Sequence, residues 1–166
     1  MRTVLFGGKP VGLSGTEIRT GVMAPDFTVV NGALKNVKLS DYDGKIRVIA
    51  VYPSIDTGVC QAQNRRFNAE ASGLTNTVIL SVSCDLPFAQ KRFCAAEGLD
   101  NVITLSDHRS VEFGTRYGFL IEELRLLARG TVVIDAKGVV QYVEYVPDVS
   151  MEPDYEAALK VVRSLI

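Results

Sequence analysis

Hydrophobic residues fall into short runs separated by polar, glycine-bearing turns, and the period within the runs changes along the chain. "TVLFGGKPVGL" places Gly7-Gly8 between two short apolar stretches and predicts a β-hairpin. "DFTVVNG" and "NVKLSDY" predict a second pair of short strands. "KIRVIAVYP" is continuous and β-branched, as a central buried strand should be. A polar helical run follows from Cys60 to Ser72, then another buried strand, "NTVILSVS".

The second half repeats the alternation. Asp85 is a candidate N-cap, Pro87 suits a first helical turn, and Gly98 is the stop of "PFAQKRFCAAEG". "NVITLS" predicts a strand and "RSVEFGTRYG" a short helix. "GTVVIDAKGVVQYVEYV" predicts two strands around Ala136-Lys137-Gly138. In "EPDYEAALKVVRSLI", Ala158, Leu159, Val162 and Leu165 recur at helical spacing, so the chain closes on an amphipathic helix. Strands alternating with helices, then a hairpin and a last helix, predict an α/β sandwich with a mixed sheet. No repeat or Pro/Gly/Ser linker divides the sequence, which reads as a single domain over residues 1–166.

Composition narrows the function. A 47% hydrophobic and 22% charged chain with net charge −1 is an ordinary soluble domain. Acidic and basic residues are interspersed, so neither nucleic acid nor a membrane surface is an expected partner. The N-terminal apolar run is too short for a signal sequence, and no run approaches a membrane span, so the expected compartment is the cytoplasm. Three cysteines without a CxxC pair do not make a disulfide framework. His108 alone cannot complete a zinc site with cysteines so scattered, and no dinucleotide, P-loop or G-x-S-x-G pattern occurs. No metal or cofactor is expected.

The chemistry concentrates at "PSIDTGVC". Cys60 stands where a buried strand gives way to a helix, although a packing thiol belongs within the apolar run. Cysteine reacts as its thiolate, and an ordinary thiol of pKa about 8.5 is only a few per cent ionised at neutral pH. Unpaired N–H groups and the positive end of a helix dipole favour the thiolate. Thr57, three residues earlier, can direct its hydroxyl at the same spot, and Pro53 can shape and dry one wall of a pocket. Separately these residues are an N-cap and a strand stop. Together they form a nucleophile's surroundings.

The motif resembles the active-site signature of the peroxiredoxins, with its proline, threonine and peroxidatic cysteine in fixed spacing. The "SID" variant is similar to the thiol peroxidase subfamily, of the atypical two-cysteine type. "DLPFAQKRFC", "AEGLDNVITLSD" and "EPDYEAAL" extend the likeness over the whole chain. The resemblance implies a thioredoxin-like sandwich, its mixed central sheet flanked by helices and preceded by an N-terminal β-hairpin. It implies reduction of hydrogen peroxide and alkyl hydroperoxides at Cys60, recycling by thioredoxin or a similar dithiol, and a homodimer. It assigns Arg129, in "LLARGTVVID", to the arginine beside the reactive thiol, where an always-charged guanidinium stabilises the thiolate and orients peroxide oxygens.

The resemblance also places the resolving cysteine at Cys94, in "RFC". By helical spacing Leu86, Ala89, Phe93 and Ala96 form the apolar stripe, which leaves Cys94 on a polar face within a partner's reach. Cys84 continues the alternation of Val78, Leu80 and Val82 and reads as core packing. His108 has no role as a base. Two other readings compete with the enzyme: a redox sensor switched by a Cys60–Cys94 disulfide, and a disulfide exchanger, which the absence of CxxC disfavours.

Overall fold

The computed structural model describes residues 2–166. A hairpin of β1 (Thr3–Phe6) and β2 (Lys9–Gly12) turns at Gly7 and Gly8, whose φ values of 59° and 80° suit the primed turns of two-residue loops. β3 (Thr28–Val30) and β4 (Asn36–Lys38) form an antiparallel pair, followed by a 3-10 turn over Leu39–Tyr42. β5 (Ile46–Val51), α1 (Gly58–Ala71), β6 (Thr77–Ser83), α2 (Pro87–Glu97) and β7 (Ile103–Ser106) make the parallel centre. Next come α3 (Glu112–Tyr117) and a small ribbon of β8 (Leu120–Ile121) and β9 (Leu126–Leu127). The chain ends with β10 (Gly130–Ile134), β11 (Val140–Tyr145) and α4 (Tyr155–Leu165).

The main sheet has the order β11-β10-β5-β6-β7-β3-β4. β5 to β7 run parallel, while the β3, β4, β10 and β11 pairings are antiparallel. Every residue of β5 is buried, including Arg47, whose guanidinium donates to the Asp43 carboxylate and the Asp135 carbonyl. Its side chains divide by the two-residue period: Ile49 and Val51 join a cluster with Phe113, Tyr117 and Phe119, while Ile46, Val48 and Ala50 join Phe67, Leu159 and Val162. The sheet is thus covered on both faces, which is the sandwich expected from the sequence. Among the described residues, no helix is long and apolar enough to cross a membrane.

Two details of the sequence reading are corrected. Asp85 does not cap α2: the N-cap is Leu86, without a side-chain bond, and the Asp85 carboxylate turns towards the loop after β5. The expected apolar stripe of α2 is also rotated. Leu86 and Ala96 are exposed, whereas Pro87 and Gln90 are buried and Phe93 and Cys94 are half-buried against the core. The inner face is set at Gln90, whose amide donates to the Leu105 carbonyl of β7 at 2.9 Å. A polar residue therefore marks the buried side, and Cys94 follows it inwards one turn later. Pro87 at the first turn and Gly98, left-handed at φ 66°, end the helix as expected.

Candidate active site

The loop following β5 delivers Cys60 to the first turn of α1. Thr57 is the N-cap, with extended backbone, and its Oγ1 accepts from the Cys60 amide at 3.3 Å. The same hydroxyl donates to the Ser54 carbonyl at 3.3 Å, so it closes the loop and starts the helix together. Cys60 is fully buried against Tyr52 and Ile55, with Ala89 and Phe93 of α2 closing the cluster.

Arg129 enters from the residue before β10 and is almost wholly buried. Its Nη2 donates to Cys60 Sγ at 3.2 Å. Nη1 donates to Gln63 Oε1 at 2.8 Å, and Nε to the Val149 carbonyl at 2.8 Å. Three acceptors at the edges of one planar fork fix the guanidinium's position and direction. The glycine beside it is required by contact: a Cβ at Gly130 would overlap the Glu144 carbonyl and press on the Phe119 ring. Gln63 is held in turn, its amide nitrogen donating to the Val51 and Gly130 carbonyls at 3.3 Å each.

Beneath the thiol a second buried network fixes the helix. Asn64 Nδ2 donates to the Cys60 carbonyl at 2.9 Å, and the Ser81 hydroxyl bridges Asn64 Oδ1 and the Tyr52 hydroxyl at 2.5 and 2.7 Å. Burial pushes the Tyr52 phenol far above its ordinary value, so it remains neutral.

Pro53, Thr57 and Arg129 line one cavity of about 310 Å³ with Phe6, Gly58, Val59, Val149 and Ser150. The N-terminal hairpin reaches this wall because Leu5 pairs with the 147–149 segment: its amide donates to the Pro147 carbonyl at 2.8 Å and its carbonyl accepts from Val149 at 3.0 Å. Four of the five expected site residues therefore converge. The fifth does not join them. Cys94 lines a different cavity, of about 480 Å³, with Lys91, Asp100, Val102 and Thr104 among its walls. Burial pushes the Cys94 thiol up, a Thr104 hydrogen bond counters this, and Asp100 adds to it. Phe93 packs against both the Cys60 cluster and the cluster that holds Cys94.

Cys84 is half-buried on the core face shared by Leu80 and Val82, and burial pushes its thiol up to about 12, with Asp107 adding to the rise. All three cysteines are free. His108 sits before α3, its carbonyl accepting from Arg125. Among the described residues, no group of three or more His, Cys, Asp or Glu side chains could hold a metal ion.

The residues missed from sequence are Gln63, Asn64, Phe6 and Val149. The first two had a signal. Cys60, Gln63, Asn64 and Phe67 recur at the spacing of one helical face, and all four are buried. Phe67, the helix's one aromatic residue, points out that face in the sequence.

The redoxin family model matches residues 19–159. A thiol peroxidase of Listeria innocua is 58% identical over 98% of this chain and 99% of its own length. One from Bacillus subtilis is 49% identical over 100% of this chain and 99% of its own. The crystal structure of a peroxiredoxin-like protein from Aquifex aeolicus superposes with a TM-score of 0.93, at 38% identity, covering 100% of this chain and 98% of the other. A thiol peroxidase structure from Chromobacterium violaceum shares the fold at a TM-score of 0.86 and 24% identity, over 98% and 95% of the two chains. With a thioredoxin-like sandwich and a cysteine held by an arginine at a helix start, the chain belongs to the redoxin family, as a thiol peroxidase of the peroxiredoxin kind.

Proposed function

We propose that this peroxidase reduces hydrogen peroxide and alkyl hydroperoxides at Cys60, forms a Cys60–Cys94 disulfide, and is recycled by thioredoxin or a similar dithiol. The observation that carries the reading is the 3.2 Å contact from Arg129 Nη2 to Cys60 Sγ at the start of α1, beside an apolar-walled cavity. The Cys60 thiolate attacks one peroxide oxygen, the O–O bond breaks, and the departing oxygen takes a proton to leave as water or alcohol. Arg129 holds the anion and faces the cavity through which peroxide arrives. The Thr57 hydroxyl turns from the Ser54 carbonyl to a peroxide oxygen, and Pro53 keeps water from that wall.

Cys94 sulfur then attacks the sulfenic sulfur, and hydroxide leaves as water. This step requires motion. A disulfide needs Cα atoms within about 7 Å, yet Cys60 is sealed in a formed turn and Cys94 belongs to another cavity, with Phe93 between the two clusters. The first turn of α1 and the turn around Cys94 unwind as the bond forms. If they unwind slowly, a second peroxide carries Cys60 to the sulfinic acid. The enzyme works as a cytoplasmic homodimer in this reading.

Steady-state peroxide consumption with thioredoxin and its reductase tests it. Wild type should turn over many equivalents, Cys60→Ser none, and Cys94→Ser one fast equivalent before stalling. A single equivalent from wild type would favour a redox sensor instead.

A further inference from the structure

We propose that Asp85 is a positioning residue for the peroxidatic loop: it holds Pro53–Thr57 in the form that oxidises Cys60, and it ties release of that loop to movement of α2. The first half concerns only the oxidation step; the second rests on the proposed Cys94 resolution.

The loop's own hydrogen bonds are long. Thr57 reaches the Ser54 carbonyl at 3.3 Å through its amide, and the Asp56 amide reaches Ser54 Oγ at 3.2 Å. The tight contacts go to Asp85, whose Oδ2 accepts from the Ile55 amide at 2.7 Å and whose Oδ1 accepts from Ser54 Oγ at 3.0 Å. Bonds to an ionised acceptor are roughly twice as strong as neutral ones. Asp85 is thus the main external anchor of the segment that ends at the N-cap of Cys60.

The carboxylate also reaches α2. Ser83 Oγ donates to Asp85 Oδ2 at 2.6 Å and accepts from Gln90 Nε2 at 3.0 Å. Gln90 is buried on the inner face of α2, one turn before Cys94. A continuous chain of polar contacts therefore links the Ile55 amide to the helix that carries Cys94. Phe93 and Ala89 make an apolar tie between the same two elements, through Ile55 and Cys60. Any shift of α2 that frees Cys94 strains both ties.

Its charge has the wrong sign to stabilise a thiolate, so Asp85 acts through geometry. Asparagine can keep an acceptor for the Ile55 amide and Ser83 while offering its amide to Ser54. Alanine can do neither.

Oxidation of Cys60 is measured by quenched flow in a Cys94→Ser background, and disulfide formation in the Cys94 protein. Asp85→Ala should slow oxidation roughly tenfold or more and speed disulfide formation about threefold, cutting sulfinic acid yield in excess peroxide. Asp85→Asn should stay within about threefold of wild type in both. A merely structural role would lower both rates together, and that result would overturn the proposal. So would oxidation within twofold of wild type in Asp85→Ala. Slowed oxidation with unchanged disulfide formation would overturn the tie to α2. Should Asp85→Ala fail to fold, Ser54→Ala, which removes one of the two loop contacts, should show the same opposed changes at about threefold. Unchanged rates there would overturn the proposal as well. If wild type forms no Cys60–Cys94 bond, the resolution reading fails, while the oxidation measurement still judges Asp85.

Discussion

Replacing Arg129 with methionine removes the charge from Cys60 while filling much of the same volume, and the structure sets the size of the effect. The contact to Sγ is one charge-assisted hydrogen bond in a dry site, a kind worth about 1.5–3 kcal/mol. With tenfold in rate for each ~1.4 kcal/mol, Arg129→Met should slow the first oxidation of Cys60 by roughly 10- to 150-fold. The Val149 carbonyl and Gln63 Oε1 lose their donors too, at a cost of about 1–3 kcal/mol each. That is within a typical domain's stability of about 5–15 kcal/mol, so the variant should fold with a lower Tm. Arg129→Lys keeps the charge, but one ammonium cannot span three acceptors set around a planar fork, and it should fall between the two. The chain has no tryptophan, so quenched flow with thiol alkylation and mass readout is the suitable assay. A folded Arg129→Met protein that oxidises within threefold of wild type would refute the assigned role.

Cys84→Ala should leave turnover within twofold and cost about 1 kcal/mol from a small cavity on the Leu80 face, a Tm loss of roughly 2–4 °C by thermal melt; loss of turnover would place Cys84 in the cycle. Asp107, buried and accepting from the Phe113 and Gly114 amides, is raised by burial to about 6 from an ordinary 3.8. Its folded form holds a proton that the unfolded chain releases, so its contribution is full below pH 4 and is lost as pH rises to about 6. Denaturant titrations should find wild type losing about 2 kcal/mol more than Asp107→Asn between pH 4 and pH 6; equal slopes would contradict this. Hydrogen exchange should show lower protection at residues 60–63 and around Cys94 in the oxidised protein than in the reduced one, and equal protection would mean that no turn unwinds.

The strands are legible because burial on both faces leaves a mostly apolar run, as in "IRVIAV" with Arg47 its one polar residue, and the two-residue period then assigns each side chain to a face. Cys60 was legible because it breaks that logic. Helix faces were less so. In α1 and α2 the buried sides carry Gln63, Asn64 and Gln90, which are inside because they serve backbone carbonyls and Arg129. A hydrophobicity pattern cannot see this, so it places Cys94 on a polar face, whereas the thiol is half-buried against the core. The β8–β9 ribbon leaves no mark in the sequence pattern: each strand has only two residues, too few for a period to register. Phe6 and Val149 meet the site through hairpin pairing with the 147–149 segment, a contact between the two ends of the chain that no local pattern encodes. Asp85 reads as a cap from its place before Pro87, yet two of its carboxylate's partners lie 30 and 31 residues earlier.

The most direct test of the peroxidatic cycle is intact-mass and disulfide mapping of the reduced protein after one equivalent of hydrogen peroxide. The proposed cycle requires loss of two thiol hydrogens, one cross-linked peptide pair joining Cys60 to Cys94, and a free Cys84. A bond containing Cys84, or oxidation that leaves Cys60 a free thiol, would contradict it.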